Sequence, residues 1–261
     1  MKNLFALSII FLVSTTLFSC KKKAEEDPAP ASEVGKFRIE FEHLVGEDPL
    51  EFNTANTQYT NNLSETFNVT MFKYYISNVI LKKADGSEYV VPESYFLIDA
   101  ANPTSSLITV KGIPVGNYKS IKFTLGVDST RNVSGSQTGA LDPANAMFWS
   151  WNNGYIFLKM EGTSPQSTEM DNMYMYHIGG FKNANNTNAL QTVERSFGMD
   201  VLRISTTGNP QIHMMVDASE VLKTPTDISF ATTAMVHMPG ALPISIAENY
   251  ADMFTVDHIH D

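Results

Sequence analysis

Hydrophobic and polar positions alternate with a period of two along much of the chain. From Lys36 to His43, Phe37, Ile39, Phe41 and His43 fall on one side and Arg38, Glu40 and Glu42 on the other, the signature of a half-buried strand. Its last inward position is an imidazole at the end of an apolar row. Similar runs predict strands at residues 66–83, as two segments or one long bent one, and at 95–99, 107–111, 120–128, 155–161, 173–177, 199–204 and 212–216. Turn signals such as Asp85-Gly86 and Val115-Gly116-Asn117 separate them. Helical spacing is confined to residues 243–254, where Ile246, Tyr250, Met253 and Phe254 share a stripe, and to 217–222, where Glu220 follows Asp217 as in a capping box. Residues 129–143 and 183–191, rich in Ser, Thr, Asn and Gly, read as long loops. The pattern predicts an all-β fold, an antiparallel β-sandwich with long loops and one or two short helices near the C-terminus.

The first thirty residues follow different rules. Lys2, the apolar stretch 4–13 and the closing Leu17-Phe18-Ser19-Cys20 read as a signal peptide over residues 1–19. Cys20 is the one cysteine of the chain, and its place after a small residue resembles the lipobox of bacterial lipoproteins, which predicts lipidation there. Residues 20–33 are charged and Pro-rich, a flexible tether, and 34–261 is then the folded domain. The expectation is a lipoprotein of the cell envelope, attached to a membrane through its N-terminal lipid, in the outer membrane and facing the periplasm or the surface. With that thiol lipidated, disulfides, Cys-type zinc sites, iron–sulfur clusters and thiol catalysis are all excluded. Any metal would use His, Met, carboxylate, hydroxyl or backbone groups. A net charge of −10 argues against nucleic acid as a partner.

The chain has no H-E-x-x-H, G-x-S-x-G, P-loop, dinucleotide fingerprint or calcium loop, so no enzyme is expected and no catalytic residue is assigned. Glu40 and Glu42 read as the solvated side of their strand. Six histidines are more informative. In His258-Ile259-His260, if extended, both rings point the same way with Cα atoms roughly 6.6 Å apart, within reach of one metal; a solvated chain end would show the same pattern. His237 precedes the C-terminal helix and His258 follows it, and a helix of that length spans roughly 18 Å, so they meet only if a connector folds back. His213 shares a strand face with Met215 and Asp217. Methionine is abundant at thirteen; Met173 and Met175 share a face with His177, a donor set suited to Cu(I) and equally consistent with core packing. Trp149, Trp151 and Tyr155 are a candidate aromatic platform for a sugar, or a hydrophobic plug closing one end of the sandwich.

Taken in order, Phe41-Glu42-His43-Leu44-Val45-Gly46, Lys73-Tyr74-Tyr75-Ile76-Ser77-Asn78-Val79, Gly126-Val127-Asp128, Trp149-Ser150-Trp151-Asn152-Asn153-Gly154-Tyr155 and Tyr176-His177-Ile178-Gly179-Gly180 resemble the methanobactin-partner (MbnP-like) family across most of the chain. The resemblance implies a secreted or surface-associated β-sandwich that binds copper through two histidines, here His43 and His177. It also implies a tryptophan oxidised to kynurenine as a further ligand and a dihaem peroxidase-like partner. One departure matters: the modified tryptophan stands two residues before the first histidine, where this chain has Phe41. His43 and His177 would therefore need His258, His260, His237 or a Met to complete a copper site, with zinc as the alternative ion. The rival reading is an envelope interaction module that contacts a glycan or protein through its aromatic and Ser/Asn-rich loops.

Overall fold

The computed structural model describes residues 33–52, 58–135, 137–151, 154–182 and 187–261. The expected signal peptide, Cys20 and nearly all of the expected tether lie outside them, as do Asn152, Asn153 and residues 183–186. The elements that matter are strands β1 (Val34–Val45), β2 (Thr66–Lys82), β3 (Tyr95–Asp99), β4 (Leu107–Pro114), β5 (Ser120–Leu125), β6 (Gly154–Thr163), β7 (Met173–Gly179), β8 (Gln191–Ser196), β9 (Gln211–Asp217) and β10 (Phe254–His260), with helix α1 at Ala241–Tyr250.

They form two sheets. Sheet A runs β10-β9-β1-β4, with Asp48–Pro49 continuing the β4 edge of β1. Sheet B runs β8-β5-β2-β6-β7 and ends on the short strand Met235–Val236, while β3 lies along the other edge of β2. Most pairs are antiparallel; β1 with β9, and β7 with Met235–Val236, are parallel. The alternation foreseen in β1 holds, with Phe37, Ile39 and Phe41 buried and Glu40 and Glu42 exposed. The inner faces meet through aromatic edges. Phe41 packs on Tyr74, and Phe254 meets both Tyr74 and Phe123 at centroid distances of 5.7 and 5.1 Å.

Residues 66–82 are one long strand rather than two. It bends where its pairing to β5 slips between Ser77 and Ile80 and Asn78 takes a φ of 52°, the local extra twist of a bulge. Both edges of β2 can then serve two successive partners each. The stretch 129–143 holds a helical turn at Ser129–Asn132, capped by the Asp128 side chain accepting from Thr130 and Arg131 N–H, and a tight turn at Gly139–Leu141. This segment covers part of the outer face of sheet B, where Tyr75 and Tyr155 donate their hydroxyls to the carbonyls of Ala140 and Leu141.

Three expectations change. The C-terminal helix ends at Tyr250, not Phe254, because Phe254 enters the core as the first residue of β10. The strand foreseen at 199–204 is reduced to Leu202–Ile204, paired with Gly116–Tyr118. The polar run Gln191–Ser196, not foreseen as a strand, pairs with β5 as β8, burying Val193 and leaving its neighbours wetter. Among the described residues no helix is long and apolar enough to cross a membrane.

Candidate metal centre

Ile212, Met214 and Val216 of β9 fill the core, so alternation turns His213 and Met215 outward. The parallel register sets Glu40 beside His213 and Glu42 beside Met215. On the other side, His258 stands opposite His213 and His260 opposite Gln211. Between Met214↔Val256 and His213↔His258, β10 uses two residues where β9 uses one. That bulge rotates Asp257 onto the face that already holds His213 and His258, an effect bulges have beside functional sites.

The result is a cluster of imidazoles and carboxylates on the outer face of sheet A. Asp257 Oδ2 is 2.7 Å from His258 Nδ1 and 3.4 Å from His213 Nδ1. His213 Nε2 is 2.9 Å from Glu42 Oε2, and His258 Nε2 is 2.7 Å from His260 Nε2. Donor atoms of His213, Asp257 and His258 all lie within 4.8 Å of one another. The His213 side chain is 16% exposed and that of His258 40%, so the site is open to solvent on one side and backed by the sheet on the other. The hydrogen bond from His258, then that from His213, hold the Asp257 carboxyl below the usual range, so it is anionic at neutral pH. Glu42 on the far nitrogen of His213 is the carboxylate support common behind metal-bound imidazoles. One nitrogen from each ring and one Asp257 oxygen make a nitrogen–oxygen donor set of the kind that suits divalent copper or zinc.

The two histidines singled out by the family resemblance are not brought together. His43 faces inward, its Nε2 3.1 Å from the Tyr74 hydroxyl and its ring against Phe72 and Tyr74. Desolvation lowers its pKa to about 4 despite the opposing field of Asp99. His177 lies in register with Lys159 and Lys73, one residue out of phase with Phe72 and Tyr74, so sheet B stands between it and His43. Its Nε2 is 2.6 Å from Glu161 Oε1. His237 follows Met235–Val236 at the far edge of sheet B, away from His258 and His260 in sheet A.

Of the candidate aromatic platform, the Trp149 and Trp151 rings meet at a centroid distance of 5.5 Å. Trp149 is 6% and Tyr155 1% exposed, Trp149 packing against Gly179, while Trp151 is 58% exposed. Trp149 and Tyr155 plug the outer face of sheet B. What sequence reasoning missed in the cluster is His213, Asp257 and Glu42. The solvated face of Glu42 and the shared face of His213 and Met215 were visible, but not the lateral pairing of β1, β9 and β10 that makes them neighbours, nor the bulge that turns Asp257 toward them.

Comparison with known proteins agrees with this architecture. The solved structure of MbnP from Methylosinus trichosporium matches with a TM-score of 0.50 at 14% identity, covering 80% of this chain and 83% of that one. No curated protein matches the sequence. The sequence model of the MbnP family matches residues 34–239, most of the β-sandwich built above, and the chain belongs to that family.

Proposed function

We propose that this chain is a non-enzymatic metal-binding protein of the cell envelope, anchored by lipid at Cys20, which holds a divalent transition ion, copper before zinc, at His213, His258, His260 and Asp257. The observation that carries this reading is the convergence of three donor residues within 4.8 Å, with His260 adjoining at 2.7 Å. For nitrogen and oxygen donors Cu(II) outranks Zn(II) in the Irving–Williams order, and the family resemblance points to copper as well. His43 contributes packing, and a dihaem peroxidase-like partner has no tryptophan to modify at position 41. Attachment to the cell envelope rests on the lipobox-like Cys20 alone.

The test is copper and zinc content of the purified full chain, followed by Cu(II) titration of the wild type, His258→Ala/His260→Ala and His43→Ala. The expected result is one Cu(II) per chain, an electron paramagnetic resonance spectrum with nitrogen hyperfine structure, and loss of binding in the double variant only. Loss in His43→Ala with retention in the double variant would overturn the assignment. Absence of any divalent ion bound tighter than about 1 μM, roughly 8 kcal/mol, would overturn the function itself.

A further inference from the structure

Among the described residues Met147, Met160, Met214 and Met253 are buried in the core, whereas Met170, Met173, Met199, Met235 and Met238 are exposed. Of the exposed ones Met173, at 39%, and Met235, at 37%, stand on neighbouring strands of sheet B and are not core filler. On β7, Tyr174 and Tyr176 point inward and are fully buried, which turns Met173, Met175 and His177 to the outer face of sheet B. Met235–Val236 pairs beside β7 in parallel register, Met175 against Met235 and Tyr176 against the buried Val236, so Met235 shares that outer face.

Neighbouring strands are about 4.8 Å apart and positions i and i+2 about 6.6 Å, distances that flexible methionine side chains can close onto one atom. Behind them Glu161, paired with Met175 across to β6, receives His177 Nε2 at 2.6 Å. This leaves Nδ1 as the donor nitrogen of that ring, with the carboxylate support typical of metal-bound imidazoles. Thioethers with an imidazole are soft donors that select Cu(I) over divalent ions.

We propose that Met173, Met175 and Met235, with His177 beside them, form a second metal site on sheet B that takes a soft monovalent ion, Cu(I), independently of the imidazole cluster on sheet A. The full chain would be titrated anaerobically with Cu(I) against a chromophoric chelator, alongside Met175→Leu/Met235→Leu and His213→Ala/His258→Ala/His260→Ala. Met-to-Leu exchange conserves volume and costs less than about 1.5 kcal/mol, so the fold should persist. The expected outcome is a Cu(I) affinity kept in the triple histidine variant and lowered about tenfold or more in the methionine variant, as loss of metal-site groups commonly does, while the latter still binds Cu(II). Copper-edge absorption should show sulfur scatterers. Should the methionine variant prove unstable, methyl-labelled methionine spectra of the wild type with Ag(I), a redox-inert substitute, decide the matter through shifts at Met173, Met175 and Met235. Unchanged Cu(I) affinity in a folded methionine variant, scattering by nitrogen and oxygen alone, or unshifted methyls at saturating Ag(I) would each overturn the site.

Discussion

His43 and His213 show how environment assigns different roles to one residue type. His213, between Glu42 and Asp257, has both ring nitrogens turned to carboxylates on the outer face of sheet A. His43 is held among rings, and desolvation, opposed by Asp99, brings its pKa from 6.5 to about 4. The unfolded chain therefore takes up a proton on this residue near pH 6.5 while the folded chain resists until about 4. Between those values the unfolded state binds more protons, so stability is full above the window and falls as pH drops through it. The loss is at most about 3 kcal/mol for this one residue. Urea denaturation of the metal-free protein at pH 7, 5.5 and 4.5 should show that decline, and His43→Asn should flatten it. An unaltered slope in His43→Asn would mean that other groups carry the acid sensitivity.

Among elements, the pairing irregularities do the positioning. The bulge in β10 places Asp257 beside His213 and His258, and the bend in β2 at Asn78 gives that strand successive partners along both edges. A third irregularity, between Glu161 and Gly162 of β6, draws the strands so close that a Cβ at Gly162 would stand 2.0 Å from the Asn68 carbonyl oxygen and 2.8 Å from the Tyr174 ring. Backbone cannot yield there as a side-chain tip would. Gly162→Ala should lower stability by about 1–3 kcal/mol, read as a drop in thermal midpoint, whereas Gly86→Ala, with open space around it but a φ of +84°, tests backbone strain without overpacking. An unshifted midpoint in Gly162→Ala would show that β2 and β6 separate more freely than this packing allows.

For the whole molecule, the two sheets are joined by a few large rings. Phe254 reaches Tyr74 of β2 and Phe123 of β5 from sheet A, and it also begins the strand that carries Asp257, His258 and His260. Phe254→Ala should cost about 3–5 kcal/mol and also weaken Cu(II) binding at temperatures where the protein is still folded, since β10 loses its anchor. Full metal affinity in a destabilised Phe254→Ala protein would separate the site from the core.

Much of the sandwich was legible because each strand's alternation is a local property: Phe37, Ile39 and Phe41 must face one way whatever lies beside them. The same rule placed Met173, Met175 and His177 on one face and His213 and Met215 on another, but left open which of those faces meets the core. It failed where packing overrode local preference. At Phe254 a helical stripe gives way to a strand because the ring is needed between the sheets, and at Gln191–Ser196 a polar run becomes a strand because β5 offers an unpaired edge. The family resemblance was carried by short ordered motifs, and it named His43 and His177 without showing that sheet B would divide them. The sequence by itself determined the strand faces, the lone cysteine and the supply of imidazole and thioether donors. Only the tertiary structure decided which of them meet, since strand order, parallel register and a one-residue bulge arise from contacts between segments far apart along the chain.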